Sequence, residues 1–277
     1  MLNAFSVDLE YWWCNEFLTE YLPAHMEHHL GEPLDRLLTL LDKYQTRATF
    51  FVLGDVAQNH PDLLERVHER GHNIACHGYS HIVLSKLTRD DFDVEIKNSV
   101  KLFKHITHAA PRGFRAPCFS LKNDTRWALD VLARNGFEYD SSIYPITKRL
   151  YGVPDAPASC YRPSKDDITQ HDRGGKIVEF PLTTLNVCGT NVPISGGFYL
   201  RLLPLSVLKH AIRQVNRSRP AIIYVHPWEL DEAAPRLRAP LISRFEAYYG
   251  TKTALKKVEA LLREFHFAPA EDVLQEI

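Results

Sequence analysis

Asn3-Ala4-Phe5-Ser6-Val7-Asp8-Leu9-Glu10 opens the chain, and His77-Gly78-Tyr79-Ser80-His81 answers it downstream. Residues 3–8 read as a strand. Side chains alternate across a strand, so Asp8 and Glu10 fall on the same face. His77 and His81, at i and i+4, share a face if they occupy one helical turn. Two imidazoles and a carboxylate are a recognised three-ligand set for a catalytic divalent metal with an open position for water. The remaining carboxylate is then available as a base.

Outward from these stretches, short apolar runs alternate with amphipathic ones. Strands are expected at 48–53, 73–76, 113–115, 137–140, 176–182 and 221–225. Helices are expected at 32–45, 61–70, 88–107, 123–136, 204–217 and 251–265. Thr88-Arg89-Asp90-Asp91 is a helix-start signal, and Pro61 and Gly71 bracket another helix. Repeated βα units predict an α/β fold with a parallel sheet, closed or doubly wound. Asp8, His77, Arg115, Asp140 and His226 all fall at or just after strand ends. Barrel enzymes place their active sites at that mouth. The repeat count is nearer seven than eight, so an irregular barrel is expected. Residues 145–175, rich in Pro, Gly and charge, read as a loop-rich insertion, and 240–277 as a C-terminal helical extension of one domain spanning 1–277.

The 277 residues carry a formal net charge of -1 with acids and bases interspersed. Nothing in that overall balance suggests a nucleic-acid stripe or a polybasic membrane patch. The five cysteines are scattered without a CxxC, which reads as reduced thiols, with Cys76 a packing residue. No run reaches the roughly 18 apolar residues of a membrane span, and no signal peptide is seen, so a cytoplasmic location is expected.

Three further features bear on chemistry. His25 and His29 also form an HxxxH pair, but they follow no strand and read as solvated surface. Arg115-Ala116-Pro117 puts a cation at a mouth holding two carboxylates, where it would keep one ionised and oriented. His226 ends the most apolar strand, Ala221–Val225, and Asp140 is its expected partner.

In this order, the Asp-x-Glu, His-x-x-x-His, Arg-x-Pro, strand-end Asp and hydrophobic-x-His motifs resemble the polysaccharide deacetylases of the NodB-homology group, the fourth carbohydrate esterase family. The motifs span residues 6–230. Glu179 through Thr184, Gly196-Gly197-Phe198-Tyr199 and His226-Pro227-Trp228-Glu229-Leu230 look like the subgroup of exopolysaccharide loci. The resemblance implies a distorted (β/α)7 barrel and metal-dependent removal of N-acetyl groups from an amino-sugar polymer. It implies Asp8 as base, His77 and His81 as metal ligands, Arg115 as the residue orienting the base, and His226 as general acid with Asp140 near it. The commoner family pattern has two adjacent aspartates, the second on the metal. Here Leu9 stands there, so Glu10 is the chosen carboxylate ligand and Asp8 the reserve. Cys118 stands where many members carry an aromatic residue.

The expected cofactor is one divalent ion, zinc first, with cobalt, nickel or iron also fitting the donors. A backbone N–H at Cys118 would join it in stabilising the oxyanion. Pro117, Cys118, Tyr11, Trp12, Tyr199 and Trp228 are the candidate sugar-groove residues, and an N-acetylated oligo- or polysaccharide the expected partner. Two other readings remain: a small-amide hydrolase like the allantoinases of this fold, and an inactive carbohydrate-binding protein. The complete carboxylate–His–His set argues against both.

Overall fold

The computed structural model describes residues 1–148, 151–231 and 233–277. Its strands are β1 (Asn3–Leu9), β2 (Thr49–Val52), β3 (Asn73–Cys76), β4 (Gly113–Phe114), β5 (Tyr139–Asp140), β6 (Val178–Glu179), β7 (Thr184–Val187), β8 (Thr190–Pro193), β9 (Ile222–Val225) and β10 (Phe267–Ala268). Its helices are α1 (Gly31–Lys43), α2 (Gly54–Asn59), α3 (Pro61–Glu69), α4 (Arg89–Thr107), α5 (Trp127–Arg134), α6 (Gly197–Leu202), α7 (Leu205–Val215), α8 (Leu241–Tyr248), α9 (Thr251–Leu262) and α10 (Ala270–Gln275). β1 to β6 lie side by side in chain order and β9 joins the free side of β1. Every pairing in this sheet is parallel, as βα repeats require.

The two-residue period of the strands sorts the core into two layers. Phe5, Val7 and Leu9 join Phe50, Val52, Cys76, Phe114, Ile223 and Val225 in the larger cluster that also takes up the helices. Ala4, Phe51, Ala75, Ile222 and Tyr224 face the other way, into the barrel. Ser6 and Asp8 share that inward face by alternation. β1 is buried along its whole length, so its polar side chains need partners; Ser6 Oγ donates to the Ile223 carbonyl at 3.2 Å.

β6 and β9 do not pair directly, and this is where the barrel is distorted. Thr183 fills the gap: its Oγ1 accepts the Ile222 N–H at 2.7 Å and donates to the Ile222 carbonyl at 2.9 Å. The Tyr224 N–H donates to the Ser195 carbonyl, and Gly196 bridges to Tyr224. A Cβ on Gly196 would lie 2.0 Å from the Tyr224 carbonyl oxygen, so only glycine permits this closure. The result is a (β/α)7-like barrel, the distorted form that the family resemblance implies and one of the two arrangements that the βα repeats leave open.

Thr88 caps α4 with a reciprocal capping box to Asp91, and α1, α3, α4, α7 and α9 lie where the periodicity places them. The expected helix at 123–136 is a 3-10 turn followed by a shorter α5. Between β5 and β6 the described residues form no helix; residues 149 and 150 of the expected insertion lie outside the description. The segment 240–277 is not purely helical, because β10 pairs with the start of β1. α8 and α10 fall inside the expected helical extension, whereas the β7–β8 hairpin, α2 and α6 had no counterpart in the sequence reading. No helix among the described residues is long and apolar enough to cross a membrane.

Candidate active site

All the chemistry sits at the C-terminal ends of the strands. Asp8 ends β1, with Glu10 just beyond it; the loops after β3, β4 and β9 supply His77 and His81, Arg115, and His226. His77 and His81 do not share a helical turn. They sit in the loop after β3, which turns through Gly78 (φ +78) and His81 (φ +56). Two left-handed residues fold the chain back so that both rings reach Glu10. His81 Nε2 lies 2.8 Å from Glu10 Oε2 and His77 Nε2 lies 3.4 Å from the same oxygen. His77 Nδ1 is 2.8 Å from the Arg115 carbonyl. A carbonyl only accepts, so Nδ1 donates to it and Nε2 is the nitrogen that faces Glu10.

Ligand atoms about 2.1 Å from a tetrahedral centre lie roughly 3.4 Å from each other; the Glu10–His77 spacing equals that and the Glu10–His81 spacing is shorter, so the two imidazoles and the carboxylate are of the right chemistry to hold a divalent ion. Burial raises the Glu10 pKa, but the facing His81 and His226 and the hydrogen bonds from His77 and His81 outweigh it and hold it well below the usual range. Glu10 is therefore an anion between imidazoles. Cys14, from the turn after β1, adds a further donor, its sulfur within 4.8 Å of ligand atoms of Glu10 and His81. The sequence reading missed Cys14, whose proximity depends on how the 11–15 turn folds back.

Asp8 is held by Arg115. Arg115 Nη1 donates to Asp8 Oδ1 at 2.6 Å and to Ser6 Oγ at 3.0 Å; Nε and Nη2 donate to Ser141 O and Oγ, both at 3.0 Å. The guanidinium is fully buried and lies 4.0 Å from the Phe51 ring centroid. Four hydrogen bonds and a ring face fix it, so one Asp8 oxygen is fixed too. The other, Oδ2, is 3.7 Å from His226 Nε2.

His226 does not pair with Asp140. Its Nδ1 lies 2.8 Å from Glu229 Oε2, and Glu229 Oε1 accepts from Arg201 Nε at 2.6 Å. A 3-10 turn at Pro227–Leu230 places Glu229 under His226 and stacks the Trp228 ring on it, 4.9 Å between centroids. Trp228 Nε1 donates to Glu10 Oε1. Burial alone would lower the His226 pKa, but Glu229, Glu10 and Asp8 outweigh it and raise it to about 9. Burial likewise opposes the ionised Glu229, yet Arg201 and His226 bring it to about 2. The signal for Glu229 was present in the His-x-x-Glu spacing; Arg201, on α6, is distant in sequence.

Asp140 belongs to a different network. It accepts from Ser142 Oγ at 2.6 Å, and Ser142 Oγ accepts the Ala116 N–H at 2.7 Å. Asp140 thus supports the Arg115–Ala116 backbone. Burial and the facing Asp140 push the Glu179 carboxyl well up, so Glu179 stays protonated and donates to Asp140.

One pocket collects Asp8, Glu10, His77, His81 and His226, with Cys118, Tyr199 and Trp228 from the expected groove and Glu16, Phe17 and Phe198 beside them. Cys118 takes a left-handed conformation, φ +52, at its wall. Arg115 and Asp140 lie behind this surface. Tyr11, Trp12 and Pro117 do not line it. Tyr11 stacks on Trp13 in a separate depression, Trp12 Nε1 donates to the Glu27 carbonyl behind Trp228, and Pro117 packs against Gly78. His25 and His29 are exposed.

Residues 31–139 match the family described as polysaccharide deacetylase, and residues 141–275 match a domain of unknown function, DUF3473. A peptidoglycan deacetylase of Helicobacter pylori is 32% identical over 149 residues, 52% of this chain and 50% of that protein. The chain thus spans about half the length of that curated relative. A crystal structure of a polysaccharide deacetylase described as putative, from Mycobacterium smegmatis, aligns over 99% of this chain and 90% of its own, with 17% identity and a TM-score of 0.59. An allantoinase structure aligns over 99% and 89%, with 14% identity and a TM-score of 0.63. At these identities the structural likeness is one of fold, and fold alone does not choose a chemistry. The sequence match is more specific: residues 31–139 carry a polysaccharide deacetylase domain, followed by a DUF3473 region, the pairing typical of the exopolysaccharide-locus subgroup.

Proposed function

We propose that this chain is a metal-dependent hydrolase that removes N-acetyl groups from an amino-sugar polysaccharide or its biosynthetic intermediate, in exopolysaccharide biosynthesis. One observation carries the reading: an Arg-held carboxylate, a carboxylate facing two imidazoles and a carboxylate-held imidazole converge on one cavity. Glu10, His77 and His81 would hold the ion, zinc by preference, with cobalt, nickel and iron compatible with the donors. When bound, that ion supplies positive charge that polarises an amide carbonyl and acidifies water.

The chain's own groups do the rest. Asp8 Oδ2, with its partner oxygen fixed by Arg115, takes a proton from the attacking water. His226 enters as imidazolium, because Glu229 sits on its Nδ1, and gives the Nε2 proton to the departing amine. Trp228 and Tyr199 offer rings to sugar faces at the cavity wall. The pairing of the two domain matches supports the exopolysaccharide setting.

The test is acetate release from a panel of N-acetylated oligosaccharides, alongside metal content before and after chelation. Acetate release that is lost with the metal and returns with it is the expected result. Activity that survives metal removal, or ring opening of allantoin without acetate release, would overturn the proposal.

A further inference from the structure

Exposed apolar side chains are scattered singly over most of the surface, as is ordinary. α8 is different. Leu241 and Ile242 are 81% and 74% exposed, and Phe245 and Tyr249 are each 46% exposed. They form one patch, with Phe245 and Tyr249 ring centroids 4.8 Å apart. The helix is not loose. Arg201 donates to the Glu246 and Tyr249 carbonyls at 2.8 and 2.6 Å, and the Tyr248 hydroxyl ties Leu237 and Pro235 to it. Ala247 is buried beneath. A firmly held helix therefore presents large apolar groups to water, which costs free energy unless something covers them.

The charges around it narrow the partner. Residues 233–252 contain Arg236, Arg238, Arg244 and Lys252 against the single carboxylate Glu246. All four cations are exposed, and among the described residues none is paired with a carboxylate. Some cations elsewhere are neutralised, such as Arg47 by Asp272, Arg70 by Asp42 and Arg112 by Glu138 and Glu271, but Lys101, Lys104 and Arg173 are exposed without a carboxylate partner among the described residues, so what sets α8 apart is the coincidence of cations with a large apolar patch.

The patch also reaches the cavity. Phe198 lies 5.8 Å from Phe245 and 6.4 Å from Phe17, centroid to centroid, and Phe17 and Phe198 line the cavity. An apolar ridge runs from the exposed helix to the mouth.

We propose that α8 and its flanking arginines dock the protein on an anionic phospholipid surface, with the catalytic mouth beside the bilayer. Apolar groups ringed by unpaired cations match the boundary between acyl chains and negative headgroups. A second copy of the chain fits less well, because a two-fold contact would bring the same four cations face to face. Docking here would bring the cavity to amino-sugars carried at a membrane. The docking itself does not depend on the deacetylase reading and is measured without catalysis.

The experiment is co-sedimentation of the full chain with phosphatidylcholine vesicles and with vesicles of phosphatidylcholine and phosphatidylglycerol. The chain should bind the second and not the first, and added salt should release it. Each arginine removed should weaken partitioning about fivefold, so Arg238→Ser with Arg244→Ser should lose roughly 25-fold. Leu241→Ser with Ile242→Ser should lose about tenfold or more. These side chains are exposed, so the variants should keep the parent's melting curve, and the salt series on the unmodified chain stands by itself. Failure to bind anionic vesicles would overturn the proposal, as would equal binding to neutral ones or undiminished binding by both variants. A dimer that the same variants dissolve, without lipid binding, would assign the patch to a second copy instead.

Discussion

Glu229→Gln isolates what the buried carboxylate does for His226. The amide keeps the shape and an acceptor for His226 Nδ1 but removes the charge 2.8 Å away. The rise of the His226 pKa from 6.5 to about 9 corresponds to about 3 kcal/mol in favour of the imidazolium. A metal on Glu10 would offset the contribution of that carboxylate, which leaves Glu229 as the main support. Without it, only Asp8 and a metal-offset Glu10 oppose the burial that lowers the pKa, so the alkaline limb of kcat/KM should move down from near 9 towards about 6.5. At pH 8 the protonated fraction should fall from about nine-tenths to about 3%, a roughly 30-fold loss that recovers as the pH is lowered. Arg201 would lose its partner, so the same measurement on Arg201→Gln with Glu229→Gln removes the orphaned cation. The assay is acetate release across pH, with melting temperatures as the folding control. An alkaline limb that stays in place in both variants would refute the role of Glu229.

The remaining predictions concern metal and frame. His81→Ala and Glu10→Gln should lose bound metal by elemental analysis, whereas Asp8→Asn should keep it and lose about 100-fold or more in rate for want of a general base; the opposite pattern would exchange the roles of the two carboxylates. Arg115→Met leaves Asp8 buried without its cation and should destabilise the fold by about 3–5 kcal/mol in denaturant titration. A loss of activity at unchanged stability would mean that Arg115 is not the structural partner of Asp8. Glu179 has a folded pKa raised above its unfolded value, so it is neutral in the fold and its stabilisation, complete below about pH 4.5, declines as pH rises. Glu179→Gln supplies a permanent donor to Asp140, so its melting temperature at pH 8 should equal or exceed that of the parent; a large drop would show that the charged form is the native one.

Much of the framework was legible because it depends on local order. Alternation in Phe5-Ser6-Val7-Asp8 separates helix-facing from barrel-facing residues whatever the rest of the chain does. The helix-start signal at Thr88 works through neighbours three residues apart. The β7–β8 hairpin was missed although its turn, Cys188 and Gly189 with φ +49 and +84, has the left-handed pair such hairpins favour. Cys-Gly is a weaker cue than Asn-Gly at that turn. The His77/His81 pair was placed on one face for the wrong reason: a helical turn was expected, and two left-handed residues do the work.

By itself the sequence determined which residue types end each strand, and so put Asp8, Glu10, His77, His81, Arg115 and His226 at one mouth. Strand direction and side-chain period are local properties, and a parallel sheet brings all its strand ends to the same side. Only the tertiary structure decided which groups touch. Asp140 and His226 both end strands, yet Asp140 turns to Ser142 and Glu179, while His226 takes Glu229 from its own turn and, through it, Arg201 from α6. Cys14 comes near Glu10 and His81, and Tyr11 and Trp12 leave the cavity, because one short turn after β1 folds as it does. The Glu179, Arg201 and His81 partners come from segments far apart in the chain and depend on loop packing that no residue spacing within either segment encodes, whereas the His226–Glu229 and Asp140–Ser142 contacts are local spacings.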